Sequence, residues 1–240
     1  MFSAVTPEQG KRLENALNVS SYGPKPYNRF SPFSYSPDFR IPVPEQEGVY
    51  ACSVEGIWQG LKLVNGVPDF LMFDRKPKKR EGDVTGHMLN GTTLDIVTAR
   101  ERIYKPSYFF YVENYVPSEI KEDVLEKGLK QDIAFYDIES NLDPDDPSSP
   151  LAHSVFLRMF FDEYLKRRLK ETKTKVDGEY EKKEFEHETL AEALARVLEL
   201  FNHTSNINKE LINFLLRQNH PDLDGFHQRY YSNLLEKIKL

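Results

Sequence analysis

Between residues 20 and 48 the chain interleaves six prolines (Pro24, Pro26, Pro32, Pro37, Pro42, Pro44) with six aromatics (Tyr22, Tyr27, Phe30, Phe33, Tyr35, Phe39). No regular helix forms at that proline density, because each ring removes a backbone donor and clashes with the preceding turn. The rings still need burial. The segment therefore predicts an ordered loop pinned by its own aromatics, with a short strand over Asp38–Val43.

Helical signals surround this loop. Residues 7–18 read as a short amphipathic helix with Pro7 in its first turn. Ser53 stands where a helix cap belongs, and Val54, Ile57, Trp58, Leu61 and Val64 follow on one stripe. Glu55, Gln59 and Lys62 share an adjoining face, and Asn65-Gly66 closes a helix of about three turns. Asp69–Leu94 is mixed and turn-rich. Thr92 or Thr93 caps a predicted helix through LDIVTARERIY, which Pro106 ends. Periodicity leaves SYFFYVENYV open between strand and helix. Ser118 caps a helix over residues 118–130, Ile133–Tyr136 reads as a short strand, and NLDPDDPSSP reads as loop. A strong stripe (Leu151, Val155, Phe156, Met159, Phe160, Tyr164) starts the next helix. Beyond the charged stretch near residue 172, helices are predicted at Thr189–Phe201, Lys209–Asn219 and Gly225–Leu240. The expected fold class is mainly α: a compact helical domain over 1–171 with a few short strands, and a helical extension over 172–240.

Composition narrows the function classes. A net charge of −6 gives no global attraction to nucleic acid or to an anionic membrane. Cys52 is alone, which excludes an internal disulfide and suits a small core residue. No run approaches the ~18 apolar residues of a membrane helix, and the N-terminus lacks a secretory pattern. These features predict a cytoplasmic chain without a membrane partner. Phosphate-binding glycine loops, zinc spacings and nucleophile elbows do not occur, and the six histidines show no ligand spacing, so neither metal nor cofactor is expected.

Three local groupings carry possible chemistry. Glu55 opens an otherwise apolar helix, where it either favours the helix dipole or, walled by Trp58, Phe30 and Phe33, titrates in the range of a general acid or base. Lys78, Lys79 and Arg80 belong to a basic run that is either a solvated turn or a phosphate site, with Gly86-His87 nearby. Asp137 follows an apolar strand, where carboxylates are often buried and paired.

In order, RFSPFSYSPDF (29–39), CSVEGIWQGLK (52–62), KPKKR (76–80), TARERIY (98–104), FYDIE (135–139) and SPLAHSVFL (149–157) resemble the NADAR family, the NAD- and ADP-ribose-associated helical domain. Glu55, Gln59 and Lys62 stand at the family's spacing, and Gly56 stands where the family has His. The resemblance implies an N-glycosidase-like hydrolase, or a binder, of ADP-ribose-type or phosphoribosyl conjugates or a modified nucleobase. It implies Glu55 and Asp137 as catalytic carboxylates. Lys62, Lys78, Lys79 and Arg80 would take phosphates, Phe33 and Trp58 a planar base, and Phe30, Ser31, Gln59 and His87 would complete the pocket. The rival reading is a non-enzymatic adaptor or inhibitor that docks a protein partner through its C-terminal helices. A third is a sensor that binds ADP-ribose without cleaving it.

Overall fold

The computed structural model describes residues 1–181 of the chain. The chain opens with β1 (Phe2–Ala4), the short helix α1 (Pro7–Gly10) and β2 (Ala16–Asn18). Thr6 and Gln9 form a reciprocal capping box on α1, whose first residue is Pro7. The helix predicted over 7–18 thus ends at Gly10. Ala16–Asn18 is drawn instead into a parallel ladder that only the folded chain supplies.

The proline-aromatic segment is ordered loop, as its composition requires, with one 3₁₀ turn at Tyr27–Phe30. Its rings and carbonyls are held from outside. Tyr108 donates to the Phe30 carbonyl at 2.7 Å and Tyr111 to that of Arg29 at 2.6 Å. The Phe39 ring lies 4.4 Å from that of Tyr115. The strand predicted in this segment shortens to β3 (Ile41–Pro42), antiparallel to β4 (Tyr50–Ala51).

Helix α2 (Val54–Leu61) has Ser53 as N-cap, its hydroxyl accepting the Gly56 N–H at 3.0 Å. It stops before Val64, because Lys62–Val64 turns into β5 and pairs with β6 (Val84–Leu89). β6 in turn pairs with β7 (Thr92–Leu94). Thr92 and Thr93 are therefore strand residues, and Asp95 caps the following α3 (Ile96–Ala99) by accepting the Thr98 N–H at 2.8 Å. Pro106 does not end this helical stretch. A π turn over Arg100–Tyr104 shifts the hydrogen-bond register, and Pro106 falls in the first turn of α4 (Lys105–Tyr115), where its missing N–H is tolerated. The open segment SYFFYVENYV is thus helix. Then come α5 (Ser118–Lys130), β8 (Ile133–Tyr136), the acidic loop, and α6 (His153–Glu181).

A mainly helical class does not describe this architecture. Three small sheets join the helices in an α/β mix, ordered β1-β8-β2, β3-β4 and β5-β6-β7. In the first sheet β8 is central and both neighbours run parallel to it, Phe2 opposite Ile133 and Ala16 opposite Ala134. Phe2, Phe30 and Phe135 pack around Phe161 with ring centroids 5.2, 5.7 and 5.4 Å away. Each buried ring contributes ~1.5–3 kcal/mol relative to exposure. Sequence patterning found β8 and the neighbourhood of β3 but missed the other strands, most of which are two or three residues long, too short for alternation to register.

The chain divides into two compact units, Met1–Lys121 with Asp132–Phe161, and Glu122–Gln131 with Asp162–Leu240. Every candidate site residue belongs to the first. In the second, Glu122 accepts hydrogen bonds from the Tyr164 hydroxyl and the Arg168 guanidinium. Helix α6 continues unbroken through residue 172, and the helices predicted at 189–201, 209–219 and 225–240 lie outside the described residues. No helix among the described residues is long and apolar enough to cross a membrane.

Candidate active site

α2 carries the chemistry because both its ends are fixed. The Pro32 carbonyl accepts the Glu55 N–H at 3.0 Å, so the proline-aromatic loop seats the first turn directly. At the other end the Arg80 guanidinium donates to the carbonyls of Gln59 (2.9 Å), Lys62 (2.6 Å) and Val67 (2.9 Å). A cation on the last carbonyls of a helix also complements its dipole. Arg80 is a strut. Both of its terminal nitrogens donate to backbone carbonyls.

Glu55 is 5% exposed and accepts a 2.7 Å hydrogen bond from Gln59 Nε2. The amide orientation of Gln59 is set independently, since its Oε1 accepts the Arg80 N–H at 3.0 Å. Burial lifts the Glu55 carboxyl above its ordinary range, partly offset by Gln59 and by the charges of Lys79, Lys62 and His153. Lys62 is half-buried. Burial lowers its ammonium against the pull of Glu55.

An aromatic wall adjoins the carboxylate. Trp58 lies 3.8 Å from the His87 ring, tilted 32°, and meets Tyr104 edge-on at 5.4 Å. His87 sits opposite Lys62 across β5 and β6. Its ring is 1% exposed and neither nitrogen has a partner among the described residues. Burial and the Lys62 charge push it down to about 3, so the ring is neutral near pH 7. The Tyr104 phenol is raised well above its usual range, first by burial and then by Glu55, Tyr108, Asp137 and Glu139. It therefore keeps its proton and can only donate it in a hydrogen bond or lose it to a strong base.

Asp137 follows β8, at the carboxyl end of the parallel sheet, and Val19 follows β2 at the same end. Such edges commonly hold ligands in open α/β sheets. Asp137 Oδ1 accepts the Glu139 N–H at 2.7 Å, and Oδ2 accepts the Ser154 N–H at 2.9 Å and faces His153 Nδ1 at 2.9 Å. These donors hold the carboxyl below its usual range although burial alone would raise it.

The structure thus hydrogen-bonds Gln59 to Glu55, sets Lys62 and Lys79 within electrostatic reach of that carboxyl, packs Trp58 against His87 and pairs Asp137 with His153. Lys79 also pairs with Glu139 at 3.1 Å. Phe30 is fully buried in the core, Ser31 accepts the Phe33 N–H at 3.2 Å, Phe33 is half-buried, and Lys78 is exposed. Sequence reasoning missed Tyr104, Glu139 and His153. Asp137 and His153 meet only because the acidic loop returns, tied by Arg100 to the carbonyls of Pro144, Asp146 and Ser149.

A family profile, "Family of unknown function (DUF6939)", matches residues 9–157, well over half of the chain. The chain belongs to that family. The matched span contains the whole candidate site, from Phe30 to His153, and ends in the first turns of α6. No curated protein and no solved structure matches the chain. Among the described residues no group of three or more His, Cys, Asp or Glu is placed to hold a metal ion. Cys52 is buried, and burial raises its thiol. Two surface depressions, of about 680 and 410 Å³, are lined by the acidic loop and by residues around Glu45 and Asn90, apart from Glu55.

Proposed function

We propose that this chain is a divergent NADAR-like N-glycosidase, cleaving the bond between ribose and nitrogen in phosphate-bearing N-ribosyl conjugates of the ADP-ribose class. The observation that carries the reading is a desolvated carboxylate, Glu55, oriented by Gln59, in the field of Lys79, Lys62 and His153, on the helix that carries the partly buried Trp58 and electrostatically coupled to the partly buried Tyr104. Loss of the nitrogen leaving group leaves an oxocarbenium-like ribose, and a carboxylate in a low-dielectric wall stabilises that charge strongly. Lys62 and Lys79 attract the phosphates. The Trp58 face suits a planar base. In this reading the protonated Tyr104 hydroxyl hydrogen-bonds the departing nitrogen, and water adds its oxygen to the anomeric carbon while its proton passes to that nitrogen.

Calorimetry with ADP-ribose tests the pocket, followed by a hydrolysis assay on ADP-ribosyl guanine. Lys62→Ala/Lys79→Ala is expected to weaken binding about 10-fold or more, the scale of one or two charge-assisted hydrogen bonds. Glu55→Gln is expected to retain binding and lose turnover. No binding by the wild type at millimolar ligand would sink the reading.

A further inference from the structure

We infer that His153 is held as an imidazolium with Asp137 as its counter-ion, and that this buried cation joins Lys62 and Lys79 in acting on Glu55. Both ring nitrogens face acceptors that have no proton to offer. Nδ1 is 2.9 Å from Asp137 Oδ2, and Nε2 is 3.1 Å from the Val19 carbonyl oxygen. A neutral imidazole would direct a lone pair at one of those oxygens, whereas two N–H groups satisfy both. Asp137, for its part, is 2% exposed and its oxygens accept from Glu139, Ser154 and His153. A carboxylate so enclosed is a counter-ion and anchor, not a group open to substrate.

The surroundings agree. Asp137 faces the ring from the end of β8, Glu55 acts on it from α2, the Tyr108 ring from α4 meets it edge-on at 5.9 Å, and Val19 closes the far side. Tyr108 brings no charge, because its buried phenol stays protonated and donates to Phe30. Burial opposes the imidazolium, but Asp137 and the Val19 carbonyl outweigh it and lift the ring above its ordinary value. His153 is therefore a positioning residue. It ties β2, β8 and the start of α6 together, and its charge favours the ionised form of Glu55. The catalytic half of this inference rests on the glycosidase reading.

The test is long-range proton–nitrogen correlation of the histidine rings in the full chain between about pH 6 and pH 8, where unperturbed histidines lose their proton. One ring should keep both nitrogens protonated to higher pH than the others, and its signal should vanish in His153→Gln. Should that variant fail to fold, contact with the Tyr108 ring assigns the signal in the wild type. Asp137→Asn should return the ring to a neutral pattern at the upper end of that range. In His153→Gln, carbon-detected titration of Glu55 should move to higher pH. A neutral His153 pattern in the wild type near pH 7, or an unmoved Glu55, overturns the inference. Both arms read protonation and not turnover. Absent hydrolysis therefore counts against the proposed activity alone, and hydrolysis with a neutral His153 counts against this inference alone.

Discussion

Replacing Glu55 by Gln removes a charge that burial disfavours while leaving an oxygen to accept from Gln59 Nε2. The folded-state pKa of Glu55 lies above its unfolded value, so the native state binds this proton more tightly. Its contribution to stability is present below the unfolded pKa and is lost as pH rises through the folded one. At pH ~7 Glu55→Gln should therefore stabilise the fold by ~0.5–2 kcal/mol, read by thermal melting, while turnover falls about 10²-fold or more. A Glu55 that only favours the dipole of α2 would give the reverse, a small loss of stability with activity kept. Both readings of Glu55 were visible in the sequence, as a carboxylate opening an apolar helix. What its spacing could not show was that Gln59 is clamped by Arg80. His87 was read in the sequence as a histidine beside a glycine, near the basic run, and by resemblance as a pocket residue. That it is buried, neutral and stacked on Trp58 depends on the cross-strand pairing of β5 and β6.

Gly56, in the first turn of α2, explains how the helix sits. A Cβ there would come within 2.7 Å of the Met72 carbonyl oxygen and 2.8 Å of the Ser53 hydroxyl. The histidine expected at this position from the NADAR-like pattern has no room. Gly56→Ala should cost ~1–3 kcal/mol through overpacking, against the usual gain of Ala over Gly in a helix. The loss is checked by denaturant unfolding, and an unchanged or raised midpoint would mean that the Met72 segment gives way. Elements with a local signature were legible: the Ser53 cap, the loop forced by proline, and the β8 strand. Elements defined by partners were not. β2 and β5 were absorbed into predicted helices because their residues also fit a helical stripe, and Pro106 was read as a stop because the π turn before it leaves no sequence mark.

Across the whole unit, the Asp137–His153 pair makes stability depend on pH in both directions. Asp137 is depressed, so its contribution is present above the unfolded carboxylate value and lost as pH falls through the folded one. His153 is raised, so its contribution is present below the unfolded imidazole value and lost as pH rises through the folded one. Chemical denaturation across pH should show stability falling above about pH 6.5, with Asp137→Asn flattening that alkaline slope. A slope unaffected by Asp137→Asn would place its origin elsewhere. The sequence by itself determined the ordered proline loop, the capped helix bearing Glu55, the acidic loop and the lone buried cysteine. Each of these follows from dihedral restriction, capping or composition acting within a few residues. Only the tertiary structure decided the α/β class, the structural use of Arg80 and the pairing of Asp137 with His153. Those depend on contacts between residues far apart in the chain, such as Gln59 with Arg80 and Val19 with His153, and no local period encodes which distant partner a short strand or a single side chain will meet.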